Sequence, residues 1–135
     1  MSVEEAKRSV QFAQIITVGF MASVLMYVLL AVVLPPQPAP GGRELELPLA
    51  VLAIIALFSA DFVARFFRRS ADGKDAHAIR RAFVLSVLVG LAVREVAAIL
   101  GFLLTRLTSE ISWTLAFSAL TVLAMYRAFP RDTDL

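Results

Sequence analysis

The sequence has no cysteine, one histidine, one tryptophan and only 18% charged residues. Without cysteine, disulfides, thiolate metal ligands and thiol nucleophiles are excluded. The single histidine, His77, stands alone in a polar connection, and because metal ligands come in clusters no metal site is expected. A Walker loop, a Ser-His-Asp set and a Gly-x-Gly-x-x-Gly run are all missing, so neither a cofactor nor an enzymatic role is expected. The shortage of charge is matched by a surplus of apolar residues: 59% of the 135 residues are hydrophobic, and the mean hydropathy is +0.80. An ordinary soluble domain is about 45–50% apolar and about 25% charged. A small fold buries only about two-thirds of its surface, too little to hide such a surplus. Lipid is the partner this composition demands. A soluble enzyme, a nucleic-acid-binding domain and a secreted disulfide scaffold are excluded.

Four apolar stretches approach the ~20 residues that a helix needs to cross the hydrocarbon. They run from about Phe12 to Leu34, Leu47 to Phe67, Ala82 to Thr105 and Trp113 to Phe129. Backbone groups cannot go unpaired in lipid, so all four are read as helices. The expected fold is all-α: a single transmembrane domain over residues 1–135, a polytopic four-helix transmembrane bundle. The first stretch follows Lys7 and Arg8, but it is too long for a signal-peptide core and no clear A-x-A site follows, so an uncleaved anchor is expected. Ser2 and Glu5 have capping-box spacing. Residues 35–42, rich in proline and ending in Gly41-Gly42, read as an extended connection. Pro48 suits a first helical turn. Asp72-Gly73 reads as a turn, Asp75 as a helix cap, and Trp113 and Tyr126 as interfacial aromatics bracketing the last span.

Counting basic residues by side orients the chain. Ten of the thirteen Lys and Arg residues (Lys7, Arg8, Arg65, Arg68, Arg69, Lys74, Arg80, Arg81, Arg127, Arg131) fall on the side of the termini and second connection. Arg43 and Arg106 alone fall on the other, and Arg94 lies within a span. The positive-inside rule then predicts a multi-pass protein of the inner (cytoplasmic) membrane with both termini cytoplasmic. So uneven a count argues against a dual-topology dimer of the small multidrug-exporter kind. Arg68, Arg69, Lys74, Arg80 and Arg81 in the second connection set the topology, and are candidates for contact with anionic lipid headgroups.

Asp61, Arg94 and Glu95 are charges within apolar stretches, each costly unless paired or hydrated. At ~1.5 Å of rise per residue, Asp61 lies roughly 9 Å from the cytoplasmic end, and Arg94 and Glu95 roughly 18–20 Å. On a helical wheel Val89, Val93, Val96, Leu100 and Leu103 form a bulky stripe suited to lipid. Gly90, Ala98 and Gly101 surround Arg94 on the opposite side, with Ala97 adjacent, as in a close-packed membrane interface. Asp61 and Arg65 form an i,i+4 acid-to-base pair. Side chains lean toward their own helix N-terminus, which on antiparallel neighbours brings Asp61 and Arg94 together. An Asp61–Arg94 interaction is expected, with Glu95 sharing the guanidinium or facing a polar cavity. Thr114, Ser118, Thr121 and Met125 form a mildly polar face on the last helix, read as a packing seam.

The spacing Glu95…Ile99…Gly101 resembles the ion-binding helix of rotary ATPase proteolipid (c-type) subunits. The likeness covers about residues 47–107, including a basic cytoplasmic loop and an alanine stripe at Ala50, Ala53, Ala56, Ala60 and Ala64. It implies that Glu95 would bind an ion. The glycine-repeat helix of that family is absent here, Arg94 and Asp61 are additional, and two further helices flank the hairpin. More broadly, the chain is similar to small uncharacterised four-helix bacterial inner-membrane proteins with a glutamate in the third span.

Two roles stay open on these residues. In one, the Asp61/Arg94/Glu95 group fixes helix packing in a non-enzymatic accessory or scaffold subunit of a membrane complex. In the other, Glu95 serves a proton- or cation-coupled translocation subunit. Partners are the bilayer, with other membrane subunits or further copies of the chain; nucleic acid is not expected.

Overall fold

A computed structural model describes residues 2–35 and 37–135; Pro36, in the proline-rich connection, lies outside the described residues. Among the described residues the fold is all-helical, with four α-helices: α1 Val3–Val33, α2 Glu46–Arg69, α3 Ala76–Thr108 and α4 Ser112–Arg127. Short 3-10 segments at Gly42–Leu45 and Asp132–Asp134 complete it.

The helix ends follow from local chemistry. Ser2 and Glu5 form a reciprocal capping box at the start of α1, and the Asp75 carboxylate accepts the Ala78 N–H, 2.8 Å, at the start of α3. Each satisfies amide groups that the first helical turn leaves orphaned. α3 ends at Ser109 in the left-handed region, φ 63°. α1 and α3 extend well past their apolar stretches, carrying charged turns beyond them. α4 is shorter than the sequence suggests, ending at Arg127 rather than Phe129. Pro130 accounts for this, since it disfavours helical backbone at the residue before it.

Consequently three helical segments, Val3–Val33, Gly42–Arg69 and Ala76–Thr108, are long and apolar enough to cross a membrane, and α4 is not among them. Its 16 residues span about 24 Å, against the ~30 Å of a hydrocarbon core.

α3 is the central helix. It packs against each of the other three, α4 also touches α1, and α1 and α2 do not meet. The arrangement is therefore more open than a square four-helix bundle. Small residues set the closeness of each seam: Ala53 and Ala60 of α2 and Ala97 and Ala98 of α3 are fully buried. At Gly101 an added Cβ would lie 2.8 Å from both Phe117 Cβ and the Trp113 carbonyl, so α3 and α4 are nearly in backbone contact there. The polar face of α4 lies in that seam, with the Thr114 and Thr105 hydroxyls 2.6 Å apart. Trp113 turns inward and stacks on Phe117, whereas Tyr126 is exposed.

Both termini and the α2–α3 turn occupy one end. There Gln14 Nε2 donates to the Pro130 carbonyl, 2.9 Å, and Val10, Ala13 and Phe83 form a small core capped by Leu135. At the other end Arg106 Nη1 donates to the Pro35 carbonyl, 2.7 Å, and Gly42 lies so close to Leu107 that a Cβ would meet its carbonyl oxygen at 2.5 Å. The chain exposes 8232 Å², where a compact soluble protein of its mass exposes roughly 6,900 Å². Much of that surface is apolar: Phe58, Phe62 and Phe66 form an uncovered ridge along α2. So large an apolar face is foreign to a protein surrounded by water.

Candidate functional site

The charges of α2 and α3 divide into two separate arrangements. In the first, Arg94 Nη2 pairs with Asp61 Oδ1 across the α2–α3 seam. The Arg94 side chain is 7% exposed and that of Asp61 64%. The guanidinium is accommodated by Gly90, where a Cβ would lie 3.0 Å from Arg94 Nη1 and 3.5 Å from Ala64 Cβ. A larger residue at that position would push α2 away or displace the guanidinium. On the far side, Thr121 Oγ1 of α4 donates to the Arg94 carbonyl at 3.5 Å, the outer limit of a hydrogen bond.

The second arrangement belongs to Glu95, which does not share the Arg94 guanidinium. Its carboxylate turns to α1, where Ser23 Oγ donates to Oε1 at 2.6 Å and the Tyr27 hydroxyl lies 3.5 Å away. Of the two arrangements expected for Glu95, sharing the guanidinium or facing a polar cavity, the first is not found: the charges form two sites, one on the α2 side of α3 and one on the α1 side. The physical reason is angular: consecutive residues on a helix point about 100° apart, and here that angle is the difference between facing α2 and facing α1. Ser23 and Tyr27 are spaced i,i+4, a signal for a shared hydroxyl face that is present in the sequence. Arg65, expected to support Asp61, forms no salt bridge among the described residues.

The small residues Gly90, Ala97, Ala98 and Gly101 are all buried on α3, but they serve three different neighbours. Gly90 faces α2, Gly101 faces α4, Ala97 joins Ala53 and Phe117, and Ala98 joins Val24 and Met125.

The basic residues near the α2–α3 turn also separate by environment. Arg69, Lys74 and Arg81 are exposed. Arg80 is half-covered, its guanidinium 4.0 Å from Glu5. Arg68 is exposed as well but is held against α3: its Nε donates to Ser86 Oγ at 3.3 Å, and its guanidinium sits 5.0 Å over the Phe83 ring. It lines a cavity of about 380 Å³ at the end that holds the termini, together with Asp61, Arg65, Arg94, Arg127 and Arg131. Arg127 and Arg131 were not singled out by the sequence, because each is remote in the chain from the charges it joins. A second, apolar cavity of about 550 Å³ follows the gap between α2 and α4 and shares Asp61, Arg94 and Arg127 with the first.

Among the described residues no group of three or more His, Cys, Asp or Glu side chains could hold a metal ion. No protein-family model, curated protein or solved structure matches the chain.

Proposed function

We propose that the chain is an integral protein of the bacterial inner (cytoplasmic) membrane, a four-helix transmembrane bundle in which the shorter α4, with the residues flanking it, makes the fourth crossing and brings both termini to the cytoplasmic side. The uncovered apolar faces of α1 and α2 support insertion, and the crowding of basic residues at the end holding both termini supports the orientation. Within the membrane it serves as a non-enzymatic accessory or scaffold subunit of a larger complex. Its partners are the bilayer and, through the uncovered outer faces, other membrane subunits or further copies of the chain. The exposed Arg69, Lys74 and Arg81 lie where anionic headgroups would meet them.

One observation carries the scaffold reading: Arg94 and Glu95, the two charges nearest mid-membrane, are each engaged by a different neighbouring helix. Their interactions fix α2 and α1 on α3. Affinity purification in mild detergent tests the role. Stable co-purification of membrane proteins that survives Glu95→Gln supports it; a monomer with no partner in any mild detergent overturns it.

A second reading is favoured by the freedom of Glu95 from Arg94. A carboxylate held by hydroxyls, with no salt bridge among the described residues, is more accessible to a translocated ion than one locked in an ion pair. On this reading, in line with the proteolipid-like spacing, the protein conducts protons or cations and Glu95→Gln abolishes pH-dependent flux in proteoliposomes. Absence of flux from wild-type protein rejects it.

A further inference from the structure

Of the five arginines around the cavity at the terminal end, only Arg94 has a carboxylate partner among the described residues. Among the described residues Arg65, Arg68, Arg127 and Arg131 form no salt bridge. The two carboxylates of the cavity are already engaged, Asp61 by Arg94 and Asp134 by the Arg131 backbone N–H, 2.8 Å. Five guanidiniums against two carboxylates leave this concavity with a net positive charge, and a multivalent anion relieves the repulsion among them. Guanidinium forks match phosphate oxygens in particular. Arg68 is also aimed in advance by Ser86 and Phe83, which lowers the entropy lost on binding.

The neighbouring cavity identifies which phosphate compound fits. The arginine cavity borders, at Asp61, Arg94 and Arg127, the α2–α4 gap walled by Ile54, Leu57, Phe58, Leu120 and Leu123. This gap exists because α2 and α4 scarcely touch. A polar anion pocket adjoining an apolar groove suits one amphiphile with a phosphate at its head and an acyl chain below. We infer that this cavity and groove together form a binding site for an anionic phospholipid, the phosphate held by Arg65, Arg68, Arg127 and Arg131 and one acyl chain lying between α2 and α4. Free phosphate shares the headgroup chemistry but leaves the groove unused.

The inference rests on the membrane-spanning reading, and the two fail differently. Loss of insertion shows as protein released from membranes by alkaline carbonate, before any lipid is tested. For the site itself, delipidated protein in detergent is titrated with phosphatidylglycerol, with phosphatidylcholine of the same acyl chains, and with inorganic phosphate, reading bound lipid by native mass spectrometry and protection by thermal shift. Selective retention of phosphatidylglycerol is expected, weakened at least about tenfold by Arg65→Gln/Arg127→Gln. The equal-charge control Arg69→Gln/Arg81→Gln, outside the cavity, should leave it unchanged. Ala124→Trp fills the groove without altering charge, and should weaken lipid retention while sparing any effect of inorganic phosphate. Equal loss in the control variant, equal retention of phosphatidylcholine, or equal protection by inorganic phosphate alone would each overturn the inference.

Discussion

Arg94 and Glu95 are adjacent in sequence, yet their side chains end on different helices: Arg94 on Asp61 of α2 and Glu95 on Ser23 of α1. Because α1 and α2 do not meet, this single peptide unit ties together two helices that otherwise share no interface. The energetics of the two ties differ, and the difference can be measured.

Removing Asp61 should cost more than removing Arg94. Asp61→Leu leaves a guanidinium in a site that exposes 7% of its side chain, a loss of about 3 kcal/mol, the lower end for breaking a buried pair. Arg94→Met takes the charge out of the core and leaves Asp61, 64% exposed, on the polar cavity whose lining also holds Arg65 and Arg127. Unfolding in detergent should therefore rank Asp61→Leu as the less stable, with the double variant recovering most of the loss. Equal destabilisation by both single changes would contradict the burial asymmetry.

At Glu95 the two hydroxyls should contribute unequally. The Ser23 bond, at 2.6 Å, is a short charge-assisted contact worth roughly 1.5–3 kcal/mol. The Tyr27 oxygen at 3.5 Å lies outside the ordinary O–H···O range. Ser23→Ala should lower stability clearly and Tyr27→Phe hardly at all; the reverse order in detergent unfolding would contradict this geometry.

Glycine-to-alanine changes give a ranking set by available space. Gly101→Ala drives a Cβ to 2.8 Å from the α4 backbone and Phe117, and should cost about 1–3 kcal/mol. Gly90→Ala meets the tip of Arg94 at 3.0 Å and should cost less, since a guanidinium can shift. Gly19→Ala meets nothing within 4 Å and should be neutral or stabilising by about 0.5–1 kcal/mol. Thermal shifts of the three variants check the order.

The N-terminal turn of α1, ahead of the apolar stretch, should loosen in acid. The hydrogen bond from the Ser2 backbone, then the nearby Arg80 charge, hold Glu5 below its ordinary value of 4.5. A carboxylate depressed in the folded state stabilises it above the unfolded value, and that contribution is lost as pH falls through the folded one. Protection factors of the amides of residues 3–9, corrected for intrinsic exchange, should therefore fall below about pH 4.5 in the wild type, and Glu5→Gln should remove that step. An unchanged step in Glu5→Gln would assign the transition to another group.

Much of the helical architecture was legible in hydropathy, because long uncharged runs leave the backbone no other way to pair. The Asp61–Arg94 contact was legible from depth and from the lean of side chains along antiparallel helices. The destination of Glu95 was not, since a helical wheel assigns a residue to a face and is silent on which neighbour covers it. That α1 rather than α2 lies there depends on the packing of the whole chain. The arginine cavity was hidden for a similar reason: Arg65 and Arg127 lie far apart along the chain and meet only once α4 has folded back. The shortness of α4 was written in Phe129-Pro130, a local signal outweighed by the hydropathy of the run before it.

The separation of α1 from α2 also bears on how the protein is made. Ser23 meets its carboxylate partner 72 residues further along the chain, and α2, the next helix to be synthesised, offers α1 no surface. A ribosome must complete α2, its turn and much of α3 before α1 has anything to pack against. On the membrane-spanning reading proposed above, α1 resides in the bilayer alone during that interval. The hydropathy of 2.5 across its most apolar window, the highest of the three candidate spans, is what a solitary resident requires.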